Sequence, residues 1–201
     1  MADTIKSGIT NSPFIGVSNF HVAKLLTDPA GGTATYDTMI SFPWLRQVQI
    51  QPQTNEQTLY ADDAAIASSN VISKYNLTID TADFPLEYKA LILGHTFDST
   101  TGTMNVKSTD TAPYFMIAFQ SNKANGGCRY VKFAKVKFAE PQENSKTKEE
   151  NISYNTPQMT ATAIYRDSDH VALMQADTEA TGYVEDTGKN WYSTTAASTG
   201  A

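Results

Sequence analysis

Cysteine is all but missing from this chain. Cys128 stands alone, so no internal disulfide can form and packing must hold the fold. As a nucleophile it would need a positioned base, and no histidine lies near it in sequence; it is expected as a half-buried strand residue. His21, His95 and His170 are dispersed, and no pair has the spacing that sets two metal ligands on one helix or hairpin. No apolar run approaches the roughly 20 residues of a membrane-spanning helix, so no membrane partner is expected. Met1–Lys6 lacks a basic stretch followed by an apolar one, and no signal peptide is expected. Basic charge is not in excess: 15 Lys and Arg against 21 Asp and Glu leave a formal charge of -6. That balance argues against a sequence-independent nucleic-acid binder, which needs a basic surface to displace counterions from phosphates. No Gly-x-Ser-x-Gly elbow, P-loop or His-Glu-x-x-His motif occurs. The Asn76-Leu77-Thr78 and Asn151-Ile152-Ser153 triplets match the glycosylation pattern but lack a secretion signal, and are read as chance.

What is present is alternation. The 201 residues are 40% hydrophobic and 18% charged, enough for one domain with a sizeable core, with or without arms. Trp44, Arg46, Val48 and Ile50 fall on one face of a strand and Gln47, Gln49 and Gln51 on the other. Tyr75, Leu77 and Ile79 alternate with Asn76, Thr78 and Asp80; Met159, Ala161, Ala163 and Tyr165 alternate with Thr160 and Thr162. One apolar and one polar face per strand predicts antiparallel sheets with a wet side. Tyr114–Phe119 is apolar on both faces and reads as a fully buried strand. Between Cys128 and Ala139 the apolar phase switches from Val131 and Phe133 to Val136 and Phe138. A β-bulge near Ala134-Lys135 would restore one buried face; an edge strand of mixed exposure is the alternative.

One helix is expected, over about Asp83–Gly94. Asp83 can cap it, Pro85 suits its first turn, and Phe84, Tyr88, Leu91 and Ile92 form an apolar stripe. Gly94 supplies a left-handed stop. Turn signals fall at Asp28–Gly32, Thr101-Gly102 and Asn125–Gly127. Gln51–Ser69 is polar with little alternation and reads as a long projecting loop, a kind usually functional or ordered by a partner. Beyond Met174 the chain is acidic, then rich in Ser, Thr, Ala and Gly, with little to bury except Tyr183, Val184, Trp191 and Tyr192. The expected organisation is an N-terminal arm over 1–13, a β-domain over 14–174 and a flexible C-terminal arm over 175–201. Seven basic residues cluster between Lys123 and Lys148, either as a solvated strand face or as an interface to the acidic arm.

Leu59-Tyr60-Ala61-Asp62-Asp63 resembles the metal-binding turn of reverse transcriptases, where paired carboxylates hold two divalent ions. That chemistry needs a third acidic residue on a neighbouring strand and a palm to hold a template. The preceding stretch, Leu45–Leu59, offers no palm, and the acidic balance is wrong. A structural acidic loop is the expectation, with no catalytic, metal or cofactor-binding residues.

The same letters, as Thr58-Leu59-Tyr60-Ala61-Asp62-Asp63, also resemble a segment of the major tail proteins, or tail tube subunits, of long-tailed bacteriophages infecting Gram-positive bacteria. The resemblance begins at Gly16–Leu25. It continues through the helix ending Ile92-Leu93-Gly94-His95, then Ala112-Pro113-Tyr114, Arg129-Tyr130-Val131 and Phe138–Pro141. It ends with Lys146–Glu149 and Tyr154–Met159. The order of these segments carries it; the Leu26–Thr38 insert and the C-terminal arm depart from it. It implies a mainly β, antiparallel sandwich or barrel of tail tube type, stacked as hexameric rings in the virion tail after assembly in the host cytoplasm. Implied partners are further copies of the chain, a tape measure protein, tail terminator or tail-tip proteins, and phage DNA as a passing, non-specific cargo, with no cofactor. Asn55, Thr58, Tyr60, Asp62 and Asp63 are then expected at an inter-ring or inter-subunit contact. Gln47, Gln49, Gln51, Asn76, Thr78, Asp80, Thr160 and Thr162 are expected to line the lumen. The competing reading is a carbohydrate- or receptor-binding β-sandwich of a phage tail, with Trp44, Tyr60, Trp191 and Tyr192 as its platform.

Overall fold

The alternating segments pair with one another as antiparallel strands. The computed structural model describes residues 12–61, 64–141 and 156–194. In chain order these hold β1 (Phe14–Thr27), β2 (Thr35–Tyr36), β3 (Ile40–Ser41), β4 (Leu45–Ala61) and β5 (Ala64–Thr81). Helix α1 (Leu86–Leu93), β6 (Thr96–Asp98), β7 (Thr103–Asn105), β8 (Tyr114–Lys123) and β9 (Cys128–Phe138) follow. Then come β10 (Gln158–Ile164), β11 (Leu173–Asp177) and α2 (Glu185–Lys189). The main sheet runs β2-β1-β8-β9-β10-β5-β4, with β3 also on β1 and β11 also on β9; β6 and β7 form a separate hairpin.

The sheet curls, and its two halves enclose one core. Phe20 and Val22 of β1, Phe115, Ile117 and Phe119 of β8, and Val131, Phe133, Val136 and Phe138 of β9 supply one wall. Leu77, Ile79, Met159, Ala161 and Ala163 supply the other, with Val48 and Ile50 packed against it. Strand β4 comes within 8 Å of β1 in Cα spacing, yet no ladder joins them among the described residues. The subunit is therefore a mainly β, sandwich-like fold and not a closed barrel.

The expected bulge is present. Phe115 pairs with Val136 and Ile117 with Phe133, so two steps on β8 span three on β9. The extra residue lets Phe133 and Val136 both reach the core. The bulge also marks a handover on the other edge, where β10 pairs with 135–138 and β11 with 129–133. Strand β1 bears its own irregularities near Gly16 and between Ser18 and His21, with Asn19 at φ 55°. Those phase breaks hide a 14-residue strand from any alternation count.

Helix α1 starts later than expected. Pro85 occupies the cap position without a side-chain cap; the Asp83 carboxylate accepts the Phe84 N–H at 2.7 Å, one residue too early. Gly94 ends the helix at φ 76°, its N–H reaching the Ala90 carbonyl. Phe84 and Tyr88 stack on Phe42, with centroids 6.3 and 4.4 Å away, and Ile92 is fully buried, so α1 closes one end of the core. The single-helix expectation is corrected by α2. Trp44 and Arg46 do not share the face of Val48 and Ile50: Trp44 precedes β4 at φ 64° and is 56% exposed, and a bulge between Leu45 and Gln47 puts Leu45 toward the core instead.

The stretch expected as a mobile arm carries docked elements as far as Tyr192, with exposed turns between them. Leu173–Asp177 extends the sheet as β11, and Trp191 is buried at 8% exposure. Its indole N–H reaches the Val131 carbonyl at 3.4 Å and its ring lies 5.7 Å from Tyr130. Trp191 and Tyr192 suffice as anchors, with Val184 left 60% exposed, because β9 presents Tyr130 and the Lys132 stem to receive them. The Leu26–Thr38 insert is pinned on the same outer side. Asp28 accepts the Asp167 and Ser168 N–H groups at 2.9 and 3.0 Å and pairs with Lys135 at 2.8 Å. Burial alone would raise the Asp28 carboxyl; Lys135 and the two N–H groups outweigh it and hold it well below the usual carboxylate range. Tyr36 donates to the Ala134 carbonyl at 2.9 Å and accepts from Arg166 at 3.1 Å.

Candidate functional site

Cross-strand register assembles the polar positions into rows. Gln47 faces Asp80, which faces Gln158; Gln49 faces Thr78, which faces Thr160; Gln51 faces Asn76, which faces Thr162. All eight residues expected at the lumen thus share one face of β4, β5 and β10. The opposite face carries Val48, Ile79 and Met159, then Ile50, Leu77 and Ala161, all in or against the core. Period-two geometry forces this separation once one face is buried. The glutamines on β4 are exposed, while Asn76, Thr78, Asp80 and Thr162 are half-buried among their neighbours.

Register also extends the face beyond the residues legible in the sequence. Thr162 faces Lys137 and Lys137 faces Tyr114, so the third row continues across β9 to β8. Gln53 faces Lys74 as a fourth row. Gln158 joins the first row and donates to Asp80 at 3.0 Å. The alternation Val136-Lys137-Phe138 turns Lys137 away from the core, but only the pairing with β10 sets it in this row.

The Gln51–Ser69 segment is not a loop. It belongs to a long hairpin in which β4 and β5 stay paired from Leu45↔Thr81 to Ala61↔Ala64. Strand β10 supports β5 only over Tyr75–Asp80. From Gln53 outward the ribbon has no other strand beside it among the described residues, apart from the Tyr165 hydroxyl donating to the Ile72 carbonyl at 3.0 Å. About nine residues per strand at 3.3–3.4 Å each give an arm of roughly 30 Å. Asn55 is exposed on it, opposite Val71, which is itself 61% exposed. Thr58 and Tyr60 pair with Ser68 and Ala65 in the ribbon backbone, and their side chains lie outside the described set. Asp62 and Asp63 lie outside the described residues.

The basic cluster resolves into separate environments. Lys123 contacts Asp177 and Glu179, each at 2.5 Å, and Arg129 contacts Asp177 at 2.9 Å. The acidic C-terminal segment therefore pairs with β8 and β9 of its own chain. Lys135 bridges Asp28 and Asp167. Lys132 is 5% exposed with its ammonium 5.1 Å from the Trp191 ring. At the α1 end, His95 links Asp110 at 2.9 Å and Glu140 at 3.2 Å, and Lys89 also reaches Glu140 at 3.0 Å. The bond to Asp110 and that to Glu140 raise the His95 pKa against the opposing effect of burial.

The glycan platform is not assembled. Trp191 is buried, and Tyr192 is half-buried with its ring 4.6 Å from that of His21 and its hydroxyl on Gln120, which leaves Trp44 as the exposed ring of the set among the described side chains. No helix among the described residues is long and apolar enough to cross a membrane. No curated protein matches the chain. The family model described as phage tail tube protein matches residues 46–192, from the start of the polar face through the docked C-terminal segment. A two-faced sheet, a projecting ribbon and that match over most of the chain agree: the chain belongs to the phage tail tube protein family.

Proposed function

We propose that this structural tail protein closes into six-membered rings that stack into a tube, with the polar face of β4, β5 and β10 lining a channel for DNA. One observation carries the reading. A wide polar sheet face, uninterrupted by any covering helix among the described residues, backs directly onto the core, while the other half of the sheet is covered by the insert and the C-terminal segment. A face left wet beside a buried one is what a water-filled channel requires. Joining subunit sheets edge to edge around the ring would also remove the unpaired edges of β4 and β2. Contact within a ring is heterologous and closes; contact between rings is heterologous and open, so it propagates.

The projecting ribbon supports the second part. An isolated two-stranded hairpin is marginal in water, so this arm fits an element completed by a neighbouring ring or subunit, with Asn55 near its base, Thr58 and Tyr60 farther out, and Asp62 and Asp63 next in sequence after Ala61. A tape measure protein, terminator and tail-tip proteins are the remaining partners of such a tube, and assembly in the host cytoplasm is its setting. Negative-stain electron microscopy of the purified protein tests the reading. Tubes or six-fold rings are the expected result; monodisperse single subunits at high concentration would overturn it.

A further inference from the structure

On β5, β9 and β10 the cations are distributed unevenly. Arg129 and Lys135 face carboxylates, and Lys132 is buried beneath Trp191. Lys74 and Lys137 differ. Lys74 is exposed and has no hydrogen-bond or ion-pair partner among the described residues. Lys137 is half-buried, and its ammonium lies 5.5 Å from the centroid of the Tyr114 ring. Register places both on the polar face, Lys137 in the Asn76 row and Lys74 in the next row outward. From the row spacing and strand separation their Cα atoms lie about 12 Å apart. The carboxylate on these rows, Asp80, is six residues from Lys74, roughly 20 Å along the strand, and is held by Gln158. The carboxylates nearest the two lysines on the arm side, Asp28 and Asp167, are engaged by Lys135, two residues from Lys137, and leave Lys74 and Lys137 without an acidic partner of their own among the described residues.

We propose that Lys74 and Lys137 form a phosphate-contacting band on the channel wall, touching the backbone of the duplex that passes through. The inference rests on the channel reading above. Two ammonium groups per subunit, repeated around a ring, meet a polyanion without reading its sequence, because phosphate contacts carry no base information. Glutamine and threonine rows alongside offer only neutral hydrogen bonds. Contact is then weak, salt-screened and compatible with sliding.

The test uses tubes assembled from the full chain. In one arm, Gln49→Cys in a Cys128→Ser background is labelled with a heavy-atom cluster, and its position is read in averaged tube cross-sections. In the other, retention of short linear duplex DNA by open-ended tubes is followed across a salt series. Wild-type tubes should release DNA as salt rises. Lys74→Gln with Lys137→Gln should show a shallower dependence, by about 0.9 in log–log slope for each phosphate no longer neutralised. Lys24→Gln, on β1, should match wild type. If the double variant fails to assemble, Lys74→Gln alone serves, since that exposed side chain should carry part of the change. Label inside the tube with equal slopes overturns the lysine band and leaves the channel standing. Label on the outer surface overturns both.

Discussion

Gly94 shows how much one backbone position can decide. It sits at φ 76°, and a Cβ there would lie 2.4 Å from the Thr111 carbonyl oxygen. Gly102 has a similar φ of 68° but open space around it. Gly102→Ala should therefore cost left-handed strain alone, about 1 kcal/mol, and Gly94→Ala strain plus a clash with rigid backbone, about 2–4 kcal/mol. Thermal unfolding separates them; equal shifts would mean the 106–113 loop yields at little cost. Lys132 is the other informative residue. Burial, reinforced by nearby Arg166, lowers its pKa from 10.5 to about 8. Between those values the unfolded chain binds more protons, so stability from this group rises with pH through that window and its cost is full below pH 8. Lys132→Met keeps the apolar stem and removes the charge. Net of the cation–π attraction to Trp191, it should stabilise the subunit near neutral pH by on the order of 1–2 kcal/mol, with the gain gone by about pH 10.5. Urea melts at both pH values check this; a variant less stable throughout would show that the ammonium contributes more than its desolvation costs.

The elements differ in what they depend on. Apart from Tyr114 and Lys137, which continue the polar face, the middles of strands β8 and β9 are buried on both faces, by the core on one and by the insert and C-terminal segment on the other. The β4–β5 arm is the reverse: Gln53–Glu56 and Asn70–Val71 are exposed, and nothing in the subunit core rests on them. Replacing Asn55–Val71 with Asn-Gly would close the ribbon at the Thr54↔Ile72 pair with a favourable two-residue turn. The expected outcome is a subunit whose stability stays within about 0.5 kcal/mol of wild type but which makes no tubes. Tubes of normal length from this variant would end the inter-ring role of the arm. Helix α1 lies between these extremes. It lacks a side-chain cap, so its stability comes from Ile92, Leu93 and the stacking on Phe42 rather than from its own ends.

At the scale of the whole molecule, the net charge of -6 sets a repulsion that assembly must overcome. Screening acts within about 8 Å at physiological ionic strength, so tube formation from isolated subunits should increase as salt rises from low values. Sedimentation across a salt series tests this; a steady decline would show that attractive ion pairs dominate the subunit contacts. The sequence alone determined the β class, the wet and dry faces of β4, β5 and β10, and the helix stop at Gly94. Each of these rests on local geometry: side chains alternate with period two, and a left-handed stop favours glycine. It also placed the β9 bulge, because a phase switch between Phe133 and Val136 is visible without knowing the partner strand. Only the tertiary structure decided the rest. The arm shows no alternation, and its described side chains Gln53–Glu56 and Asn70–Val71 are exposed within the subunit, so burial left no imprint on them. Strand β1 is broken by irregularities that reset its phase. The C-terminal segment docks through a few aromatics whose receiving surface, Tyr130 and Lys132, is more than 50 residues away in sequence. Lys137 joins the Asn76 row through its pairing with Thr162 on β10, a register that no local stretch of chain encodes.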